Sequence, residues 1–290
     1  MTFSKDALAG RVAIITGGGS GIGFGIAKAF ASASAKLVLA SRNEERLQGA
    51  VEEITEMGGE AIAVQADVRD YDSVARVVQT AVETYGGVDV MIANAAGNFV
   101  VPAADMSPNA WKTVIDIDLN GTFYCARAAY PALKESEFGG RFIAISTTRA
   151  LEGWPGCAHA GAAKAGIMSL IRTLTGEWGK DGIRCNTIAP GAIGDTEGVK
   201  RIYEDAGREA NELSTGLSAQ AHQFIARRRI ADAYLLLNLY PEALSAYQEV
   251  VPSLSEAGMC NHLARALWGM GSTLIGQSRL IEAEKVLGKA

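Results

Sequence analysis

The sequence predicts an α/β fold, a doubly wound parallel sheet followed by an all-α segment at the C-terminus. From Arg11 to about Pro190, short apolar runs rich in β-branched residues alternate with longer stretches of helical periodicity. Strands that alternate with helices are joined by right-handed crossovers, and these produce a parallel sheet. After about Tyr203 glycine becomes rarer, and helical patterns replace the alternation.

Six strands are predicted from apolar runs, which are typical of strands buried on both faces of a sheet. In chain order they are Val12–Thr16, Lys36–Ala40, Ala61–Gln65, Val88–Ala93, Arg141–Ser146 and Arg184–Ala189. Helical periodicity is clear over Ile22–Ser34 and Ser73–Thr84. A seventh strand is missing after Asn238, because Glu249–Pro252 is too short and ends in proline. We therefore expect a sheet that lacks its last strand and has an exposed edge.

The chain is divided into a nucleotide-binding domain over 1–206 and a helical segment over 207–290. In the helical segment, Ala264–Gly271 has the spacing of a tetratricopeptide repeat, and Tyr240–Ala243 resembles part of another. Their separation exceeds the usual ~34 residues, and two units fall short of the ~3 that stabilise such arrays. Alternatively, Ile230–Asn238 is the penultimate helix of the first domain, and the likeness to a repeat is accidental.

Composition excludes several classes of protein. With 290 residues, 48% of them hydrophobic, the chain can bury one large core or a core with a small annex. A net charge of −5 argues against nucleic-acid binding. The four cysteines are scattered without metal-ligand spacing, so no metal site is expected. No apolar run reaches the ~18 residues of a membrane span or marks a signal peptide, which favours a cytoplasmic protein.

A glycine-rich loop, Thr16–Gly23, follows the first strand and opens the first helix. Glycines let the backbone approach a pyrophosphate, and the helix N-terminus supplies N–H groups and partial positive charge, as in Rossmann-type nucleotide sites. A structural turn is the alternative, but the flanking strand and helix favour a cofactor loop. The residues predicted to contact the cofactor here are Gly17, Ser20, Gly21, Ile22 and Gly23.

The end of the second strand selects the cofactor. An acidic residue there would hold the ribose 2′-hydroxyl of NAD, whereas this chain has Ser41 and Arg42. The Arg42 guanidinium can form two hydrogen bonds to a 2′-phosphate, and Ser41 can donate another. We therefore predict NADPH as the cofactor; the alternative is that Arg42 is a solvated surface residue.

These motifs resemble those of the short-chain dehydrogenase/reductase family over about two thirds of the chain. Thr16–Gly23 is similar to its TGxxxGxG loop, Asn94–Gly97 to its NNAG motif with one replacement, and Pro190-Gly191 to its late turn. The resemblance assigns further cofactor contacts, with Ile193 and Thr196 at the nicotinamide carboxamide and the pyrophosphate. These further contacts are Asp67, Val68, Asn94, Gly97, Pro190, Ile193 and Thr196.

The usual chemistry of that family needs a serine, a tyrosine and a lysine. Counting back from Lys164, the tyrosine position is Ala160 and the serine position is Thr147. Asp118 replaces an asparagine that normally supports the lysine, and Arg149 stands where the mitochondrial dienoyl-CoA reductases carry their tyrosine. The usual proton donor is therefore absent from the motif.

The same departures are similar to those of one branch of the family, the peroxisomal type of 2,4-dienoyl-CoA reductase. The similarity lies in Gly97-Asn98-Phe99, in Asp116–Asp118 and in His159-Ala160-Gly161. It implies NADPH-dependent reduction of a dienoyl-CoA, with catalytic Asp118 and Lys164 holding a water molecule that delivers the proton. Lys164 would also bind the nicotinamide ribose. The implied substrate-binding residues are Asn98, Phe99, Thr147 and His159.

Several alternatives remain open at this point. Asp118 and Lys164 could form a structural ion pair, and His159 could be a packed residue at the start of a helix. The chain could instead be a generic carbonyl reductase, or an inactive nucleotide-binding scaffold whose segment 207–290 recruits a protein partner. The missing strand removes the usual assembly surface, although a homo-oligomer is still compatible with the sequence.

Overall fold

The computed structural model describes residues 4–154, 156–191, 193, 231, 240–257, 260–277 and 279–288. Within them lies one six-stranded sheet, in the order β3-β2-β1-β4-β5-β6, and every neighbouring pair of strands is parallel. The strands are β1 Val12–Thr16, β2 Lys36–Ser41, β3 Glu60–Gln65, β4 Val90–Ala93, β5 Arg141–Ile145 and β6 Arg184–Ile188. The predicted doubly wound parallel sheet is confirmed, and all six predicted strands are present.

Helices connect successive strands. They are α1 Gly21–Ala31, α2 Glu44–Glu56, α3 Tyr71–Tyr85, α4 Pro108–Ile115, α5 Gly121–Lys134, α6 Arg149–Glu152 and α7 Ala158–Trp178. Helix α1 ends earlier than predicted because Ser34 takes a left-handed conformation with φ of 67°. Helix α3 instead extends over Tyr71–Tyr85 and ends at Gly86, whose φ of 91° suits glycine.

The sheet is buried on both faces, as its apolar strands predict. Neighbouring residues on a strand point to opposite faces, so Ile14 and Ile15 of β1 enter different cores. Ile14 packs in the larger core with Phe142 and Ile167, and Ile15 packs in the other core with Leu37. Both side chains are fully buried. This two-sided burial holds the sheet rigid, so residues at its carboxyl edge have fixed positions.

The strand order reverses direction between β1 and β4, which are adjacent in the sheet. In sheets of this kind the loops after the two strands at the reversal diverge, and a crevice opens at the carboxyl edge. Thr16 ends β1 and Ala93 ends β4, so the glycine-rich loop and the loop beginning at Asn94 both start at this crevice.

A short π-helical segment, Asp116–Asn120, joins α4 to α5. It is an irregularity that the sequence pattern did not predict. Single π turns within helices are often found at functional sites, because the extra residue per turn reorients nearby side chains. Here the turn contains Asp118, which is buried.

The chain separates into two compact units, residues 1–207 and 208–290. In the second unit the described helices are α8 Tyr240–Glu256, α9 Cys260–Gly276 and α10 Leu280–Leu287. Their core includes Tyr247 and Leu254. The helical character of this segment is confirmed, whereas the tetratricopeptide assignment gains no support and stays a prediction. No further strand follows β6 in the stretches described, and Glu249–Pro252 lies within α8.

None of the helices described is long and apolar enough to cross a membrane. In the same part of the chain, no group of three or more His, Cys, Asp or Glu side chains could hold a metal ion.

Candidate active site

The glycine-rich loop is shaped by close backbone approach. Gly17 has a φ of +66° and donates its N–H to the Ala40 carbonyl at 2.7 Å. At Gly23 a Cβ atom would lie only 2.3 Å from the Gly17 carbonyl oxygen, so a side chain there would displace the loop. Ser20 precedes α1 in an extended conformation, and its side chain makes no capping hydrogen bond to the helix. The loop therefore leads into the N-terminus of α1 as a phosphate-binding turn requires.

Thr16 and Asn94 tie the ends of β1 and β4 together. The Thr16 hydroxyl donates to the Ile92 carbonyl at 3.3 Å and accepts the N–H groups of Asn94 and Ala95 at 3.0 and 3.1 Å. The Asn94 side-chain amide donates to the Thr16 carbonyl at 2.9 Å. Asn94, predicted to bind the cofactor, is thus placed where it holds the glycine-rich loop in position.

A cleft of about 130 Å³ opens at the carboxyl edge between these loops. It is lined by Gly17, Ala40, Ser41, Arg42, Ala66, Asp67, Val68, Ala95, Ala96 and Ile117. The structure therefore brings together five of the predicted cofactor residues. Glycine and small apolar side chains on its walls, with Arg42 and Asp67 as the charged residues, fit an adenosine group.

Arg69 is a neighbour of the cleft that sequence reasoning missed. Its guanidinium donates to both carboxylate oxygens of Asp67, with the shortest contact at 2.5 Å. This pairing lowers the pKa of the Asp67 carboxyl, and the more distant Arg42 acts in the same direction. The spacing of an Asp and an Arg two residues apart after a strand was the signal available in the sequence.

Asp118 and Lys164 meet in the interior, 1% and 8% exposed. The Lys164 Nζ lies 3.3 Å from Asp118 Oδ2 and donates to the Ile145 carbonyl at 2.9 Å. Asp118 Oδ1 accepts the N–H of Gly97 at 2.7 Å. Burial raises the pKa of the Asp118 carboxyl, although Lys164 and the Gly97 N–H act in the opposite direction. The predicted pair is therefore in contact.

Three elements converge on this pair. Asp118 comes from the π segment, Lys164 from α7 and Ile145 from the end of β5. The Ser146 hydroxyl donates to the Lys164 carbonyl at 3.0 Å and fixes α7 against the strand. An ammonium group has three donors, and the contacts among described residues use two of Lys164's. The third can reach a ligand or a water molecule.

Ala160 fills the position where a proton-donating tyrosine would stand. It is 1% exposed and forms a small apolar cluster with Val114 and Cys157, against which Trp154 packs. Thr147, at the serine position, is half-buried, and its hydroxyl accepts the Arg149 N–H at 3.3 Å. Position 160 therefore supplies no phenol for proton transfer.

The predicted substrate residues Asn98, Phe99 and His159 lie at one junction between a loop and the start of α7. The Phe99 and His159 rings meet edge to face at 4.6 Å, and the Cys157 thiol lies 3.7 Å from the Phe99 carbonyl. Among the described residues, Asn98 Oδ1 and His159 Nε2 are buried polar atoms without a hydrogen-bond partner. Burial lowers the pKa of His159.

The last predicted cofactor residues lie after β6. Pro190 is half-buried and Ile193 is exposed. Thr196 lies outside the described residues, so its predicted contact stays an expectation. Sequence reasoning also missed the Gly97 N–H and the Ile145 carbonyl, because backbone groups carry no residue-type signal; their position at strand ends was the available hint.

The family model described as short chain dehydrogenase matches residues 11–207, more than half of the chain. A probable 2,4-dienoyl-CoA reductase, (2E)-enoyl-CoA-producing, of Bacillus subtilis (strain 168) is 40% identical over 206 residues, covering 71% of this chain and 81% of that protein. The peroxisomal 2,4-dienoyl-CoA reductase, (3E)-enoyl-CoA-producing, of Danio rerio is 42% identical over 201 residues, with coverages of 69% and 67%.

Two solved structures are similar to this chain in fold. A citronellol catabolism dehydrogenase of Pseudomonas aeruginosa PAO1 matches with a TM-score of 0.62 and 32% identity, covering 68% of this chain and 81% of that one. A Sinorhizobium meliloti 1021 protein assigned to the short-chain alcohol dehydrogenases matches with a TM-score of 0.66 and 34% identity, covering 73% and 83%. This chain belongs to the short-chain dehydrogenase family, oxidoreductases that work with a nicotinamide cofactor.

Proposed function

We propose that this chain catalyses the NADPH-dependent reduction of a 2,4-dienoyl-CoA. The observation that carries the proposal is the buried contact of Asp118 with Lys164 beside the Gly97–Phe99 loop, at a site where Ala160 replaces the usual acid. Two relatives at about 40% identity bear the name of this activity, which supports the same substrate class.

The chemistry suits a site without a phenol. When bound, the reduced nicotinamide supplies a hydride. A conjugated dienoyl thioester accepts it at the far carbon of the diene, and the negative charge spreads as a dienolate onto the thioester oxygen. One proton then adds to carbon, so the reaction consumes one dienoyl-CoA, one NADPH and one proton and yields one enoyl-CoA and NADP⁺. No carbonyl becomes an alcohol, so no strong acid is needed at the oxygen.

The proton is delivered through a water molecule held by Asp118 and Lys164. Lys164 keeps a donor beyond its two contacts, and the raised pKa of Asp118 lets this carboxyl take part in proton exchange nearer neutral pH than an exposed aspartate. The positive charge of Lys164 also stabilises the developing dienolate in a site of low dielectric. The competing role is a purely structural ion pair.

NADPH is proposed over NADH on the residues at the end of β2. Arg42 and Ser41 line the cleft at the point where the adenosine ribose would lie, and Arg42 is exposed toward it. No acidic side chain follows β2 directly, since the chain continues with Arg42 and Asn43. The guanidinium suits a 2′-phosphate, which it can bind through two hydrogen bonds. Ser20, Gly21 and Ile22 at the start of α1 would hold the pyrophosphate.

We assign this catalysis to residues 1–206 and leave 207–290 as a separate helical segment. The division of the chain into compact units over 1–207 and 208–290 supports the assignment. An assembly with a second copy, a protein partner for the helical segment and a cytoplasmic location stay predictions.

The test is NADPH oxidation by the purified chain with a 2,4-dienoyl-CoA, run beside a saturated ketone. We expect turnover with the dienoyl-CoA and none with the ketone. Turnover of the ketone alone would identify a generic carbonyl reductase instead. Binding of NADPH without turnover of either compound would identify a nucleotide-binding scaffold.

A further inference from the structure

The imidazole of His159 presents a buried polar atom for which the described residues offer no partner. The side chain is 0% exposed, and its Nε2 makes no hydrogen bond within the described part of the chain. Leaving a buried polar atom unpaired is unfavourable, so such atoms point to a missing partner. The same junction holds a second buried polar atom without a partner among the described residues, the acceptor Asn98 Oδ1.

The backbone fixes which ring nitrogen carries the proton. The Ala160 N–H donates to His159 Nδ1 at 2.7 Å, so Nδ1 is an acceptor and must be unprotonated. A neutral imidazole then carries its proton on Nε2. Burial lowers the pKa of the ring, whereas the charge of Asp118 and a hydrogen bond with the Cys157 backbone act in the opposite direction. In the tautomer that accepts the Ala160 N–H, the Nε2–H of His159 is the group that can donate a hydrogen bond to a ligand.

We propose that the Nε2–H of His159 donates a hydrogen bond to the thioester carbonyl oxygen of the bound acyl-CoA, where the dienolate charge accumulates. This inference rests on the proposed function, and it assigns separate roles to the residues of the site. His159 stabilises the oxyanion, while Asp118 and Lys164 handle the proton. Asn98 Oδ1 complements it, because the acyl-pantetheine end of CoA offers amide N–H donors as well as the carbonyl.

Phe99 lies beside the His159 ring. Its ring packs edge to face on His159 at 4.6 Å and is itself 37% exposed. A part-exposed side chain on a loop can rotate aside at little expense, whereas His159 is anchored at the start of α7 by the Ala160 N–H. The Phe99 ring can therefore make room for an acyl chain beside His159.

The test compares His159→Asn with His159→Gln. Asparagine keeps an acceptor near Nδ1 for the Ala160 N–H but cannot reach the position of Nε2, whereas glutamine can place an N–H close to it. The probe is a 2,4-dienoyl-CoA labelled with ¹³C at the thioester carbonyl, bound with NADP⁺ so that no turnover occurs. Isotope-edited infrared spectroscopy reports the carbonyl stretch, and NADPH oxidation reports kcat and KM.

In the wild type we expect the stretch at a lower frequency than in free ligand, because a hydrogen bond weakens the C=O bond. His159→Asn should return it toward the free value and lower kcat about 100- to 1,000-fold, as loss of one oxyanion donor does. NADPH affinity should stay unchanged. His159→Gln should restore part of both the shift and kcat.

A wild-type stretch and kcat in His159→Asn would overturn the inference, and turnover by the wild type would leave the proposed function standing. A wild type that binds the dienoyl-CoA with a His159-dependent shift but does not turn it over would sustain the donor role and overturn the proposed catalysis. Absence of both binding and turnover would overturn the two together.

Discussion

Ala160 marks the point at which this site departs from the usual chemistry of its family. Its side chain is 1% exposed and packs against Val114 and Cys157, so the position belongs to the apolar core of α7. The ionisable side chains that meet nearby among the described residues are Asp118, Lys164 and His159. The proposed dienoyl-CoA reduction suits such a site, because it needs positive charge and hydrogen bonds more than a strong acid.

The pH dependence of stability should reveal the buried neutral His159. Its folded pKa lies below the usual value of 6.5 because of burial. Between those two values the unfolded chain binds a proton that the folded chain does not, so stability falls as the pH is lowered below 6.5. The His159→Asn variant has no imidazole at this position, so it cannot bind this proton in the unfolded state.

The measurement is the difference in Tm between wild type and His159→Asn, which cancels the titration of the other groups. We expect a constant difference above pH 6.5 and a relative loss of wild-type stability as the pH falls from there. A difference that does not change across this range would mean that His159 titrates normally in the fold.

The sequence located most side chains of the site but few of their partners. A family resemblance predicted the contact of Asp118 with Lys164. Lys164 matches the lysine of the family motif, and Asp118 replaces the asparagine that normally supports this lysine. The Gly97 N–H and the Ile145 carbonyl that fix the pair are backbone groups. Their positions depend on how β4 and β5 end, which residue types do not encode.

At the scale of elements, the glycine-rich loop makes a sharp prediction. A Cβ at Gly23 would lie 2.3 Å from the Gly17 carbonyl oxygen, whereas a Cβ at Gly25, in the same helix, meets nothing within 4 Å. Gly23→Ala should therefore distort the loop and weaken NADPH binding at least tenfold, measured by fluorescence titration. Gly25→Ala is the matched control and should bind NADPH normally, with a helix stabilised by up to about 1 kcal/mol.

The end of β2 yields a second prediction at this scale. Arg42→Ala removes the guanidinium from the cleft without touching the core, since Arg42 is exposed. Loss of a charge-assisted hydrogen bond of about 1.5–3 kcal/mol should weaken NADPH binding about 10- to 100-fold. NADH, which lacks the 2′-phosphate, serves as the internal control and should bind as before. An equal loss for both cofactors would assign Arg42 a structural role.

The π segment Asp116–Asn120 shows that a local irregularity between helices is harder to predict than a strand. Hydrophobic patterns located all six strands, because most of them contain buried apolar runs such as Val12–Ile15 of β1 and Val90–Ala93 of β4. A single π turn between two helices changes the register by one residue and leaves no periodic signal. Its consequence is large nevertheless, because the turn carries Asp118.

At the scale of the whole molecule, the architecture of the sheet could be predicted from the sequence. For the C-terminal segment, only its helical class could be predicted. The alternation of strands and helices fixes a parallel sheet through crossover handedness, so its architecture followed from pattern alone. For residues 207–290 the same pattern reasoning predicted helices, which α8, α9 and α10 confirm. The tetratricopeptide assignment drawn from the same pattern stays a prediction, because small residues at helix contacts occur in many helical packings.

Close packing in the helical segment allows its independence to be tested. A Cβ at Gly269 of α9 would lie 2.3 Å from the Tyr247 hydroxyl, and Tyr247 is fully buried in α8. Gly269→Ala should therefore destabilise these helices by about 1–3 kcal/mol, as overpacking does. Circular dichroism should show their earlier melting, while NADPH affinity stays at the wild-type value. Loss of NADPH binding together with these helices would contradict the division into two units.

In the proposed reaction, Asp118 and Lys164 deliver the proton in place of a tyrosine. The most direct measurement is kcat for a 2,4-dienoyl-CoA in the wild type, Asp118→Asn and Lys164→Met, with NADPH binding measured on each protein. We expect turnover in the wild type and a loss of at least about 100-fold in both variants, as removal of a general acid–base group gives. Turnover that survives both substitutions in proteins that still bind NADPH would contradict the account.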